Sequence, residues 1–174
     1  WITSYDHQPK RYSVGFLGST AEDDRRRIAD MLRAVYDDLR LATTAIPTDE
    51  DRSQEGRRSR DDYYRELQQC RIVLSLPGAG LDTFRFWENC ACNAVHIAPE
   101  MPLFIPNDFL RGVHIKRFSP RLETLRTQID EILEDDCGSK ETIIANRHHL
   151  TQHHLTTSRA AQFLNQIHKT FIAA

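Results

Sequence analysis

The sequence predicts an α/β domain in which a parallel sheet is covered by helices on both faces. Apolar runs of strand length, such as YSVGFL at residues 12–17 and IVLSL at 72–76, alternate with segments whose apolar residues recur at helical spacing. Glycine follows both of these runs, at Gly18 and Gly78. In such sheets ligands bind beyond the carboxyl ends of the strands, so the loops that follow the strands are expected to carry the site.

The first half of the chain contains a lead-in and the first three predicted strands. Residues 1–11 are predicted to be a linker or lead-in to a domain that spans residues 12–174. The helix after the first strand has one apolar stripe, and Ser19 and Glu22 ahead of it have capping-box spacing. The elements that follow are a strand over 41–47, a polar loop over 48–60, a helix over 61–69 and the strand over 72–76.

The second half continues the alternation and ends in helices. A glycine turn leads into a helix and then into a strand that ends at Pro99. The remaining predicted elements are an irregular segment over 101–111, a strand over 113–118, a helix opened by Ser119 and Pro120, and helices over 141–150 and 155–172.

The composition is that of a soluble globular protein with one core. The formal net charge of the 174 residues is -2, which excludes a bulk electrostatic attraction to nucleic acid or to a membrane surface. No apolar run approaches the roughly 18 residues of a membrane span, and no signal peptide is recognisable, so a cytoplasmic location is expected. Four cysteines without zinc spacing are expected to be free, buried thiols.

The segment over residues 77–88, PGAGLDTFRFWE, has the features of a ligand-binding turn. Gly78 and Gly80 let the backbone pass close to a ligand, and Asp82 is placed to cap the helix that follows. Phe84 and Trp87 on that helix are expected to belong to the core rather than to a stacking platform.

The same helix carries one cation and one carboxylate on a single face. Arg85 and Glu88 are three residues apart, so their side chains project in the same direction. A guanidinium beside a helix amino terminus attracts phosphate, and a carboxylate accepts hydrogen bonds from hydroxyl groups. The pattern favours a phosphorylated sugar or a nucleotide as ligand.

Four segments give the chain a resemblance to a known enzyme family. They are FLGS at 16–19, the Arg-rich helix start at 25–27, the PGxGxDTFRxWE pattern at 77–88 and the HHxTxxRAxxFL pattern at 153–164. In these the chain resembles the C-terminal, donor-binding half of GT-B glycosyltransferases, with the spore-maturation-type group as the closest match. The resemblance implies a Rossmann-like domain that binds a nucleotide-diphosphate sugar, UDP- or GDP-linked, without a metal or other cofactor. It also implies an N-terminal GT-B domain, in the same chain or another, that supplies the acceptor site.

The resemblance further implies roles for individual residues. Glu88 occupies the position of a glutamate that contacts the donor ribose, and Arg25, Arg26 or Arg27 the position of a cation that binds the diphosphate. Arg85 would serve the same diphosphate. Gly80 departs from the pattern, because related enzymes often have a sugar-contacting glutamate there; the sugar contact would then come from elsewhere, such as the Gly78–Leu81 backbone, or be lost. No residue is assigned as catalytic base.

Other interpretations of the residues remain open at this point. A GT-B-like module that binds or interacts without catalysing would explain Gly80. A flavodoxin-like signalling domain lacks support, because the acidic cluster after its first strand would have to be Glu22–Asp24, which already lies inside the predicted helix. Asp49 and Asp51 have metal-pair spacing but lie in a polar run that is typical of solvated charge. The histidines at 148, 149, 153 and 154 are not expected to bind a metal, since a helix break is predicted over 150–152.

Overall fold

A five-stranded, entirely parallel sheet forms the centre of the molecule. The computed structural model describes residues 2–18, 22–42, 59–78, 80, 83–119 and 122–172. The strands are β1 (Tyr12–Leu17), β2 (Leu39–Ala42), β3 (Cys70–Leu74), β4 (Val95–Pro99) and β5 (Lys116–Phe118). Their order across the sheet is β2-β1-β3-β4-β5. The predicted parallel α/β architecture is confirmed.

Helices cover both faces of this sheet, as predicted. They are α1 (Asp23–Val35), α2 (Arg60–Gln68), α3 (Phe84–Ala91), α4 (Leu122–Glu134), α5 (Asp136–His153) and α6 (Thr156–Ile167), with a 3-10 turn at Ile2–Tyr5 and a π turn at His168–Ile172. One buried cluster joins α1 and α4 to the sheet, and a second joins α2, α3 and α5 to its other face. Two separate apolar layers therefore hold the strands between them.

Three predicted strands have other boundaries in the structure, and the one predicted at 72–76 is β3 at Cys70–Leu74. β2 begins at Leu39, because Leu39 already pairs with Val14 of β1; most of the strand predicted at 41–47 lies outside the described residues. The strand predicted at 113–118 is formed only from Lys116 onward. Gly112, at a φ of 79°, donates its backbone N–H to the carbonyl of Ile115 and so closes a turn ahead of β5.

The lead-in is packed onto the domain rather than extended away from it. The side chain of Ile2 is fully buried in the cluster that contains Tyr64. Gln68 donates from Nε2 to the carbonyl of Ile2 at 3.0 Å, and Arg147 of α5 pairs with Asp6 at 2.7 Å. These contacts to residues 58 or more positions away could not be inferred from local patterns.

Two further findings concern the thiols and the helices. All four cysteines are free, as predicted; Cys70, Cys90 and Cys92 are buried, whereas Cys137 is exposed. Burial raises the pKa of the Cys70 thiol to about 12. None of the helices in the described ranges combines the length and the apolar character needed to cross a bilayer.

Candidate functional site

The sheet order places a crevice between β1 and β3. From β1 the chain proceeds by α1 to β2 on one side, whereas β3 leads by α3 to β4 on the other side. The loops after β1 and β3 therefore run in opposite directions and are separated by a gap beyond the carboxyl ends of the strands. In α/β sheets of this strand order, ligands bind in this gap. Gly18 follows β1 and Gly78 follows β3, so both border this crevice.

Arg25 reaches into the crevice from the first turn of α1. Its Nε donates to the carbonyl of Pro77 at 2.7 Å and its Nη2 to the carbonyl of Leu76 at 3.1 Å. Its guanidinium lies 5.7 Å from the ring centre of Phe16. The residue is only 7% exposed. Carbonyl oxygens are neutral acceptors, so these bonds fix the position of the cation without cancelling its charge.

The two glycines of the turn after β3 have different structural roles. A Cβ atom at Gly78 would stand 2.6 Å from Nη2 of Arg25, so a side chain there would displace the guanidinium. A Cβ atom at Gly80 would meet nothing within 4 Å. The turn is closed by the backbone N–H of Gly78, which donates to the carbonyl of Gly80 at 3.1 Å.

Arg85 approaches the same crevice from α3, on the opposite face of the sheet. Its Nε donates to the carbonyl of Leu17 at the end of β1. A Cβ atom at Gly18 would lie 2.9 Å from the Phe16 ring and 3.3 Å from that nitrogen, so Gly18 leaves room for both side chains. Burial and the nearby charge of Arg85 lower the pKa of Arg25, and Glu22 partly opposes this effect. The fold therefore holds two like charges together at the carboxyl ends of β1 and β3.

The other predicted cations do not join this pair. Arg26 is exposed and pairs with Asp23 at 3.2 Å, and Arg27 faces Asp24 at 4.0 Å, both one turn back along α1. The side chains of the three consecutive arginines project in different directions from α1, and of these only Arg25 faces the carboxyl end of β3. Two further predicted site residues, Ser19 and Asp82, lie outside the described residues.

The predicted caps of the two helices bordering the crevice are not formed. The N-cap residue of α1 is Glu22, which excludes a capping box that starts at Ser19. The N-cap residue of α3 is Thr83 rather than Asp82, and its side chain makes no capping bond. Both helices begin later than predicted, at Asp23 and at Phe84.

Glu88 is held by two tyrosines of α2. Tyr63 donates its hydroxyl to Oε2 at 2.9 Å and Tyr64 donates to Oε1 at 3.3 Å. Burial and the Glu88 charge raise the pKa of both phenols, so both remain protonated donors. No ion pair links Glu88 to Arg85 within the described part of the chain. The tyrosines are functional candidates that sequence reasoning missed, because hydroxyl and carboxylate are 24 and 25 positions apart.

A buried polar network supports the end of β3. The Ser75 hydroxyl lies 2.8 Å from Nε2 of His96 in β4, and Asn89 of α3 donates to that hydroxyl at 2.9 Å and to the carbonyl of Leu74 at 3.1 Å. Nδ1 of His96 lies 3.3 Å from the sulfur of Cys90. Burial lowers the pKa of His96 to about 3, so the imidazole is neutral. The network ties α3 to the strand whose end binds Arg25.

The aromatic residues of α3 only partly follow the prediction. Trp87 packs against the core, with its ring centre 5.1 Å from that of Phe86. Phe84 was expected in the core but is 89% exposed, since it stands at the first position of α3, ahead of the buried side of the helix.

Away from the crevice, the molecule has a cavity that is a further candidate for a site. A cavity of about 450 Å³ lies between α4 and α5 beside Val95 and Lys116, which start β4 and β5, so it opens at the edge opposite the crevice.

Within the described ranges, no three His, Cys, Asp or Glu side chains are arranged to hold a metal ion. The helix break predicted over 150–152 is absent, since α5 continues to His153. The pair Asp49 and Asp51 lies outside the described residues.

Comparison with solved structures supports the fold. The chain is similar to the C-terminal domain of a glycosyl transferase group 1 family protein, LpcC, from Francisella tularensis, with a TM-score of 0.61 and 11% identity. The similarity covers 89% of this chain and 92% of that domain. No curated protein matches the sequence.

A family model gives the assignment. The model described as "Glycosyl transferase-like" matches residues 22–165, a range that includes Arg25, the glycine turn, Arg85 and Glu88. Because this range is well over half of the chain, the protein belongs to the glycosyl transferase-like family.

Proposed function

We propose that this chain is the donor-binding domain of a GT-B glycosyltransferase of the spore-maturation type, and that it binds a UDP- or GDP-linked sugar in the β1–β3 crevice. The observation that carries the proposal is the convergence of Arg25 and Arg85 from helices on opposite faces of the sheet. Each guanidinium is held by backbone carbonyl oxygens next to a glycine.

Two fixed cations suit a diphosphate both in the ground state and during glycosyl transfer. Charge-assisted bonds from guanidinium to phosphate are among the strong hydrogen bonds of proteins. When the glycosidic bond breaks, negative charge grows on the departing nucleoside diphosphate. Cations that are already in place stabilise that charge without reorganisation. The mutual repulsion of Arg25 and Arg85 would be relieved by the same anion.

Glu88 would accept bonds from the ribose of the donor. Each of its carboxylate oxygens receives one tyrosine hydroxyl, and a carboxylate oxygen can accept a second donor. Ribose hydroxyls are such donors. With Gly80 in place of a sugar-contacting glutamate, contact to the transferred sugar would come from the Gly78–Gly80 backbone or from a partner domain.

The surface of α6 supports a partner domain that would supply the acceptor site. No residue of this helix, which the structure describes throughout, is buried. Phe163 and Leu164 on α6 are 65% and 63% exposed, and Phe171 on the π turn is 78% exposed. An N-terminal GT-B domain, in the same chain or another, would cover these side chains and close a cleft over the crevice.

Calorimetric titration with UDP, GDP and ADP tests the proposal. We expect at least one to bind with a Kd between about 1 μM and 1 mM. Arg85→Met is expected to weaken that binding by about 1.5–3 kcal/mol, the cost of a lost bond to a charged group. Arg33→Met is the matched control, because Arg33 lies on the exposed side of α1 and pairs with Asp30.

Two results would contradict the proposal. One is the absence of binding to all three nucleotides by the folded chain, which would favour a non-catalytic module. The other is equal weakening by Arg33→Met and Arg85→Met, which would indicate a general charge effect instead of a site.

A further inference from the structure

Four histidines converge where α5 meets α6, outside the groups used by the proposed function. Ring centres lie 4.1 Å apart for His114 and His149, 4.7 Å for His149 and His153, and 5.3 Å for His149 and His154. His114 comes from the loop before β5, and the other three lie at the end of α5. Imidazoles this close interact strongly once they become charged.

The hydrogen bonds of His154 require a neutral ring. Nε2 of His149 and Nε2 of His154 lie 2.7 and 2.8 Å from the carbonyl oxygen of Asn107. A carbonyl only accepts, so both nitrogens carry a proton. Nδ1 of His154 lies 3.1 Å from Nη2 of Arg159, which only donates. Nδ1 must therefore present its lone pair, and a second proton on His154 would replace this bond with a contact between two cations.

His114 shows the same restriction on the other side of the cluster. Its Nδ1 accepts the backbone N–H of Leu110 at 3.0 Å, so this nitrogen is also unprotonated. A second proton on His114 would break that bond and place a charge against His149.

The charges that face these two rings are all positive or able to become so. His154 is faced by Arg159 of α6 and by His149 and His153 of α5, and His114 by the same two histidines. The nearby loop charges are paired elsewhere: Asp108 with Arg117, and Arg111 with Glu100. Burial and these neighbours lower the pKa of both His114 and His154, although the bond to Asn107 opposes this at His154.

The bond between Arg159 and His154 fastens α6 to the rest of the domain. The Arg159 guanidinium lies 4.6 Å from the Trp87 ring centre, on α3 beside Glu88. The Trp87 and His154 rings are 5.2 Å apart. The first turn of α6 has a further hydrogen bond to α5, from the Ser158 hydroxyl to the carbonyl of Thr151 at 3.1 Å, and no residue of α6 is buried.

We propose that the His154–Arg159 contact is a pH-operated latch: it ties the first turn of α6 to the end of α5 and keeps Arg159 over Trp87 of α3 when His154 is neutral, and it releases Arg159 when His154 takes up a second proton. The inference does not depend on the identity or the binding of a sugar donor. It predicts a closed latch at neutral pH and an open one in acid, on the acidic side of the ordinary histidine pKa of 6.5, because burial and neighbouring cations oppose protonation.

Hydrogen exchange of the 174-residue chain at pH 5.0 and pH 7.5 tests the latch. After correction for intrinsic exchange rates, protection of α6 amides is expected to fall at least tenfold at pH 5.0. Protection of α4, which packs on the opposite face, is the internal reference and should change less. Equal protection of α6 at both values, or an equal fall in α4, would overturn the proposal.

Three variants separate the latch from a general effect of acid. His154→Gln keeps a donor and an acceptor that do not titrate, so the pH step in α6 should disappear. Arg159→Met should leave α6 poorly protected at both pH values. His148→Gln alters an exposed histidine on the same helix and should behave like the wild type. A wild-type pH step in either His154→Gln or Arg159→Met would refute the latch.

Discussion

At the scale of single residues, the structure shows that two glycines that looked equivalent in the sequence have different surroundings. Both were predicted to allow close approach of a ligand. Gly78 lacks a side chain because the Arg25 guanidinium occupies that space, whereas Gly80 borders open space and has no positive φ. The sequence could not separate them, because Arg25 is more than fifty positions away from both.

Gly78→Ala is expected to weaken nucleotide binding, and Gly80→Ala is expected to leave it unchanged. The alanine methyl group at position 78 would displace Arg25, the end of a flexible side chain, so the fold should survive while the cation moves. We expect a loss of affinity of about tenfold, within the range for one bond to a charged group. Calorimetry with the nucleotide that binds best measures both variants, and equal affinities for the two would contradict the role of Arg25.

At the scale of elements, α2 and α3 are joined through the carboxylate of Glu88. The sequence correctly predicted a helix near residues 61–69, and the spacing of Arg85 and Glu88 correctly placed both on α3. It could not show that these two helices face each other, because helix pairing depends on the crossover from β2 to β3. The tyrosines therefore enter the candidate site only through the fold.

Replacing Tyr63 and Tyr64 together by phenylalanine should free the Glu88 carboxylate from its two donors. Nucleotide affinity should fall severalfold, since Glu88 would no longer be fixed, and stability should fall by about 0.5–1.5 kcal/mol per hydroxyl. Tyr36→Phe is the matched control: its hydroxyl donates to Asp130 at 2.6 Å on the other face of the sheet. Calorimetry and urea unfolding distinguish the two, and a similar affinity loss in the control would refute the role of the tyrosines.

At the scale of the whole molecule, the sequence predicted the architecture but not the contacts between segments that are distant in the chain. Strand and helix patterns predicted the parallel sheet, its two helical layers and the edge at which glycines meet cations. The packing of the Ile2 turn, the Ser75–His96 network and the continuous α5 depend on contacts between distant segments. Such contacts leave no local periodicity, so no pattern over ten or fifteen residues could have indicated them.

His96 makes the stability of the whole molecule sensitive to acid. Its pKa is about 3 in the folded chain, against the ordinary histidine value of 6.5, so the unfolded chain takes up a proton first as the pH falls. Its contribution to stability is complete above pH 6.5 and declines from there toward pH 3, by at most about 1.4 kcal/mol per pH unit.

Urea unfolding between pH 7.5 and pH 4.5 measures this dependence. His96→Asn should be less stable at pH 7.5 but should lose less stability on acidification than the wild type. His148→Asn, at an exposed position on α5, should keep the wild-type dependence. Parallel curves for His96→Asn and the wild type would show that other groups control the acid sensitivity.

The burial of Ile2 has a practical consequence for anyone who shortens this protein. A version that starts at Tyr12 would lack the Ile2 side chain, which is part of the buried cluster that contains Tyr64. Gln68 would also lose its two acceptors, the carbonyl of Ile2 and the carboxylate of Asp6. The resulting void would lie directly beneath the tyrosine that steadies Glu88. Removal of residues 1–11 would thus weaken the packing that supports the proposed ribose contact.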